Sequence, residues 1–267
     1  MRSWVIDLAH SDPLSIAFGA LLGALIGSFL NVCILRWGAE PKGSIVSPRS
    51  HCPRCGKGLA WYENVPVLSW LLLRARCRGC GEPISIMYPL IELVTAGLWG
   101  YMVWKYGLTV EALRGAVFGT ILLGIAMTDA RNYIIPDEFT WGGLTLGLLF
   151  SLANGWPGLS TALIGAVVGF GLLWVVGYVG TLVFKEDAMG GGDIKMMAMV
   201  GAFLGWQGVL LTIFLGALAG SLVFVPLMLV GQKKLVPFGI FLSIGAAISY
   251  ELGPAIIGWY SGYLVGA

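Results

Sequence analysis

Charge is what this 267-residue chain has least of: Asp, Glu, Lys and Arg make up 11% of it, while 57% is hydrophobic. Soluble domains carry roughly 25% charged residues. A chain so poor in charge cannot cover a water-facing surface, so lipid must be its main solvent. A cleavable leader is also missing by its pattern. The stretch before the first apolar run holds Arg2 but also Asp7 and Asp12, and the run itself, 14–35, is longer than a signal core of roughly 7–15 residues. It reads as a retained transmembrane helix. There is no internal repeat, no low-complexity linker, and no glycine-rich strand–turn–helix of a nucleotide-binding fold.

What is present fits an all-α polytopic membrane protein. Mean hydropathy is +0.84. Forty glycines suit close helix packing, and 11 tryptophans and 9 tyrosines supply interfacial anchors. Apolar segments fall at about 14–35, 86–104, 112–128, 140–154, 158–184, 194–205, 207–230 and 236–265, giving about eight transmembrane helices. The segments 140–154 and 194–205 are short and glycine-rich, so tilted or discontinuous helices are open readings there. The last run contains Pro254 and is either one kinked helix or two pieces.

Basic residues set an orientation. The loop 36–85 carries Arg36, Lys42, Arg49, Arg54, Lys57, Arg74, Arg76 and Arg78. With that loop in the cytoplasm and eight spans, Arg131, Lys185, Lys195, Lys233 and Lys234 fall on the same side. Only Arg2, Lys105 and Arg114 lie outside, thirteen against three. The positive-inside rule then puts both termini outside the cytoplasm. Topology accounts for the basic residues, so no nucleic-acid partner is expected.

The same loop holds Cys52-Pro53-Arg54-Cys55 and Cys77-Arg78-Gly79-Cys80, 21 residues apart, each followed by glycine (Gly56, Gly81). Two such pairs are the pattern of a tetrahedral zinc site, and thiolates are the soft ligands zinc accepts. A reducing cytoplasm disfavours the alternative of two disulfides. With four sulfurs there is no open position for water, so the metal expected at Cys52, Cys55, Cys77 and Cys80 is structural, one per chain. His51 is read as a loop histidine and Cys33 as a packing residue.

Ionisable groups at membrane depth are expensive, so each is a functional candidate. Asp129 follows the run 112–128, and Asp193 ends Gly190-Gly191-Gly192-Asp193. Both fall at cytoplasmic helix ends by the topology above, so they can meet at one depth. Two nearby carboxyls cannot ionise equally, and a pair that shares a proton can activate water while polarising a peptide carbonyl. Asp129 or Asp137 taken alone could instead cap a helix start, and Asp193 alone could be the N-cap of the following helix. Asp137 and Glu138 are placed at an interfacial helix start, Lys195 either marks the inner face or tunes Asp193, and Glu92 is an unexplained membrane acid.

These residues resemble the bacterial type IV prepilin peptidase/N-methyltransferase family. The likeness runs through GSFLNV (Gly27 to Val32), the cysteine pairs, and ENVPVLSWLLLRARCRGC (Glu63 to Cys80). It continues in ISIMYPLIEL (Ile84 to Leu93), TDARNYIIPD (Thr128 to Asp137), GGGDIK (Gly190 to Lys195) and PFGIF (Pro237 to Phe241). The resemblance implies an inner-membrane enzyme that cleaves the leaders of type IV prepilins and type II secretion pseudopilins on the cytoplasmic side, after glycine. It implies methylation of the new N-terminus with S-adenosylmethionine, and it matches the family's catalytic aspartates to Asp129 and Asp193. The methyl-donor site has no spacing signature; the aromatic-bearing loop with Trp61, Tyr62, Glu63 and Trp70 is the candidate, with the membrane interface as the alternative place for those aromatics. The expected organisation is an N-terminal helix (1–35), the tetracysteine loop (36–85) and a peptidase bundle (86–267). Competing readings are a proton-coupled transporter, which would predict paired repeats and midplane acids, a peptidase without methyl transfer, and a pilus-assembly scaffold without chemistry.

Overall fold

The computed structural model describes residues 12–39, 41–46, 49–186, 189–229 and 237–265. Its elements are α1 (Pro13–Trp37), a 3-10 turn (Trp61–Asn64), α2 (Leu68–Leu72), α3 (Met87–Tyr106), α4 (Val110–Asn132) and α5 (Asp137–Ser151). A second 3-10 turn (Leu152–Asn154), α6 (Gly155–Phe184), α7 (Gly191–Leu229) and α8 (Phe238–Val265) complete the order. Among the described residues there is no strand, only two isolated β-bridges in the cysteine loop. The chain divides into two compact units, Met1–Arg36 with Gly43–Thr120, and Trp37–Lys42 with Ile121–Ala267.

Lipid gives helices no hydrophobic reason to associate, so close backbone approach has to hold them. In the first unit that approach runs along α1. Gly19, Gly23 and Gly27 recur every fourth residue, one face of a helix. A Cβ on Gly19 would lie 2.7 Å from Val103 Cγ2, on Gly23 2.7 Å from Thr95 O, and on Gly27 2.8 Å from Glu92 Cα. The descending order along α3 makes the pair antiparallel. Buried Asn31 bonds across the same seam, donating from Nδ2 to Tyr88 O (3.1 Å) and to Gly27 O (3.2 Å). On the outer side of α1, Leu14, Phe18, Leu21, Leu25 and Phe29 are exposed, as a lipid-facing stripe should be.

The second unit is built around α7, which is not one straight rod. Gly205, inside it, has φ 71°, a left-handed conformation that glycine adopts without a steric penalty. Gly192 sits against Ile135, Ile135 reaches Gly239, and Gly220 lies beside Phe238 and Phe241. On a straight helix residues 192 and 220 would be about 42 Å apart, so they could not both lie at the start of α8. The chain therefore doubles back at Gly205 into two antiparallel limbs, 191–204 and 206–229. These limbs match the two separate apolar segments of the sequence.

Other helices pack on the limbs through glycine. Gly143 meets Met199 and Gly147 meets Phe203, so α5 runs parallel to the first limb. Gly165 meets Gly201 and Gly169 meets Met197, so α6 runs antiparallel to it. At the α6 crossing the backbones themselves touch: a Cβ on Gly201 would collide with Gly165 O, and one on Gly165 with Gly201 O. Gly216 lies against Leu242 and Gly245 against Thr212 O, pairing the second limb with α8.

By length and hydropathy, five stretches among the described residues qualify as membrane crossings: Pro13–Trp37, Val110–Asn132, Asp137–Phe184, Gly191–Leu229 and Phe238–Tyr263. The third is interrupted by the turn Leu152–Asn154 and the fourth by Gly205, so each contains two helices. The chain is a multi-pass membrane protein.

The backbone contact at Gly165 and Gly201 gives the first test. Gly201→Leu should cost about 3 kcal/mol or more, beyond the usual penalty for overpacking, because the obstructing atoms are main chain. Thermal unfolding in detergent would read this, with Gly171→Leu, where a Cβ meets nothing within 4 Å, as the mild comparison.

Candidate functional site

In the first unit the two C-x-x-C segments fold as copies of one knuckle. Gly56 N–H donates to Cys52 O and Gly81 N–H to Cys77 O, both 2.9 Å, while Cys52 N–H reaches Lys57 O and Cys77 N–H reaches Glu82 O. Gly56 and Gly81 take φ of 70° and 72°, which explains a glycine after each pair. The Arg54–Glu82 ion pair (3.1 Å) ties one knuckle to the other.

The four sulfurs of Cys52, Cys55, Cys77 and Cys80 lie within 4.8 Å of one another, and Cys52 Sγ to Cys80 Sγ is 3.9 Å. A tetrahedral ion with metal–sulfur bonds of about 2.3 Å needs edges of about 3.8 Å. The cluster therefore fits a metal ion. Amides of Cys80 and Gly79 facing the Cys77 thiol lower its pKa to about 6, which favours the thiolate a metal ion takes as ligand. His51 stays outside the cluster, its Nδ1 3.0 Å from Arg49 O, and Cys33 is buried in α1.

The loop's other singled-out residues are mostly structural. Glu63 is buried and accepts from Ala60 N–H (2.9 Å) and pairs with Lys57 (3.3 Å); the amide and then the lysine hold its carboxyl below the ordinary value. Trp70 donates from Nε1 to Ile84 O, and the Tyr62 ring lies under Arg78. Trp61 is exposed. The sequence left Glu92 unexplained. Its buried carboxylate accepts from Val67 N–H at 2.7 Å, capping the start of α2. Val67 itself has φ 61°, unusual for a β-branched residue and held by that bond.

The second unit gathers the acids. Asp129, near the end of α4, is 5% exposed. Its Oδ2 accepts from Ile240 N–H at 3.2 Å, in the first turn of α8. Asp193 lies in the first turn of α7, close enough to Asp129 for each to feel the other's ionisation, and its Oδ1 is buried with no hydrogen-bond partner. Ile135 fills the space beside them, touching both Gly192 and Gly239. Thus the ends of α4 and the starts of α7 and α8 converge, and the two acids share one enclosed site. Lys195 bonds not Asp193 but Asp137, Nζ to Oδ1 at 2.7 Å, which joins the start of α7 to the first turn of α5. Glu138 pairs with Lys42 (3.0 Å).

Sequence reasoning attached no chemistry to Gly239 or Ile240. Their segment, PFGIF, stood out only as a string of residues, because a backbone amide leaves no signature in side-chain identity.

A multi-pass membrane protein with a tetracysteine metal centre and an enclosed acid pair is the class that fold and site define. Comparison with known families narrows it. The bacterial peptidase A24 N-terminal domain matches residues 21–106, and the type IV leader peptidase family matches residues 116–225. Proteins named prepilin leader peptidase/N-methyltransferase are similar. The one from Myxococcus xanthus is 44% identical over 214 residues, 80% of this chain and 63% of that protein. The one from Aeromonas hydrophila is 36% identical across 96% of this chain and 97% of its own length, and that from Pseudomonas aeruginosa is 35% identical over the same shares. The chain belongs to the prepilin leader peptidase/N-methyltransferase family. No solved structure matches it.

Removing the Glu92 acceptor while leaving Val67 N–H buried should be costly. Glu92→Ala is expected to lose about 1–3 kcal/mol of stability, whereas Glu92→Gln, which keeps an oxygen there, should lose less. Thermal melting of both variants in the same detergent would show the order.

Proposed function

We propose that this chain is an intramembrane aspartyl endopeptidase that removes the leaders of type IV prepilins and type II secretion pseudopilins. The observation that carries the reading is the convergence of Asp129 and Asp193 in one enclosed site. One carboxylate takes a proton from water as the water oxygen bonds to the scissile carbonyl carbon. The protonated partner donates to the carbonyl oxygen, and the collapsing intermediate passes a proton to the departing amine as the C–N bond breaks. No metal is needed for these steps. The backbone of Gly190, Gly191 and Gly192 beside Asp193 carries no side chains that would keep a substrate backbone away.

The same reading places the site at the cytoplasmic edge of the inner membrane, with both termini outside, because lysine and arginine concentrate on that side of the spans. It also divides the chain into an N-terminal helix, a metal loop at 36–85 and a peptidase bundle at 86–267. Zinc, held by Cys52, Cys55, Cys77 and Cys80, would cross-link the two knuckles and take no part in hydrolysis.

Methylation of the newly exposed amine completes the proposed sequence, as the relatives' names imply. S-adenosylmethionine supplies the methyl group when bound. A cavity of about 400 Å³ in the first unit, lined in part by Phe29, Arg36, Arg49, Ser50 and Asn64, is of small-molecule size. The transporter reading has no observation in its favour: the acids lie at helix ends.

Asp129→Asn and Asp193→Asn should each slow leader removal from a purified prepilin by roughly 10²–10⁴-fold, the usual worth of an acid or base. Wild-type rates in either variant would sink the mechanism. Elemental analysis should find one zinc per chain, and Cys52→Ser/Cys77→Ser should abolish it.

A further inference from the structure

Asp129 does something in this structure that neither an acid pair nor a family likeness requires. It stands at the start of a helix from another part of the chain, 111 residues on, and accepts from that helix's unpaired amides. The first N–H groups of any helix lack an internal partner. Pro237, just before α8, has none to offer, and Ile240 N–H goes to Asp129 Oδ2 at 3.2 Å, with Gly239 N–H also directed at that carboxylate. Space is fitted as closely as hydrogen bonding. A Cβ on Gly239 would stand 2.7 Å from Asp129 Oδ2 and 2.8 Å from Ile135 Cδ1. Gly239 is glycine for room, since its backbone is ordinary helix. By contrast Asp193 Oδ1, enclosed in the same site, meets no donor.

We propose that the first turn of α8 is a positioning part of the acid pair: the Gly239–Ile240 amides fix the Asp129 carboxylate, and the missing side chain at 239 lets them reach it. The inference rests on the aspartyl reading above and adds two residues to it. Hydrogen bonds from N–H to a carboxylate are among the stronger ones, and their direction locks the rotamer. Asp129 then meets water and substrate in one orientation, set by α8. Gly239 and Ile240 act through the Asp129 carboxylate and not on the substrate, so loss of either should act on turnover more than on substrate binding.

The test compares two substitutions at one position in the full-length protein, assayed with a purified prepilin. Proline is tolerated in a first helical turn, where its missing N–H breaks no internal bond. Ile240→Pro removes the amide, and Ile240→Ala removes the same side chain but keeps it. The expected result is a kcat for Ile240→Pro roughly tenfold or more below that of Ile240→Ala, with KM agreeing within about threefold. Equal kcat values would overturn the proposal. Thermal midpoint and zinc content check that the proline variant is folded. If it is not, Gly239→Ala, which keeps both amides but pushes against Asp129, decides: a kcat at least roughly tenfold below wild type with KM retained supports the proposal, and a wild-type kcat refutes it. Asp129→Asn and Asp193→Asn are run alongside. If those two cleave normally the aspartyl reading fails, whereas if they are inactive while proline and alanine at 240 agree, only the role of α8 fails.

Discussion

Everything in this protein depends on how closely two helix backbones can approach when lipid offers them no other reason to associate. Where Gly165 faces Gly201, nothing but hydrogen separates the main chains of α6 and α7. The same device recurs between α1 and α3 at Gly19, Gly23 and Gly27, and between the second limb of α7 and α8 at Gly216 and Gly245. Dispersion falls away quickly with distance, so contacts of this closeness supply attraction that larger side chains would prevent. The acid site is a consequence. Only because α7 folds back at Gly205 and α8 packs along the returning limb does the start of α8 arrive beside the start of α7 and the end of α4.

Much of this was legible in the sequence, for reasons that differ from one residue to the next. The apolar segments at 194–205 and 207–230 stood as two runs in the sequence, and the turn at Gly205 divides α7 at the same place. The cysteine pairs were legible because ligand spacing is local, and their sulfurs do gather within one metal's reach. Asp129 and Asp193 stood out because charge is scarce here, and the structure brings them together. Lys195 was ambiguous: by sequence it could mark the inner face or tune Asp193, whereas the fold gives it Asp137 as partner. The connection from Glu92 to Val67 N–H was not legible at all. A carboxylate's acceptor role is set by which amide the fold presents to it, and that amide carries no code.

Capping and an acid–base role are alternatives for Asp129 by sequence, and the structure does not make them exclusive. A carboxylate at a helix start is stabilised by the amides there and by the helix dipole. When that helix comes from elsewhere in the chain, the cap also becomes a brace between elements. Asp129 braces α4 to α8 in this way, as Glu92 braces α3 to the turn before α2. Both are acids in apolar surroundings, where an unpaired carboxylate would be costly.

That cost sharpens the contrast with Asp193. Glu63 has the Ala60 amide and Lys57, Glu92 has the Val67 amide, Asp137 has Lys195, and Asp129 has the Ile240 amide. Asp193 Oδ1 is buried without any such donor. Among these acids, Asp193 has an oxygen left open beside Asp129, with which it could share a proton. An unsatisfied buried group is a liability for stability. It is retained at low cost only if something outside the chain completes it, and a water molecule or a substrate carbonyl is the kind of partner whose hydrogen bonding would do so.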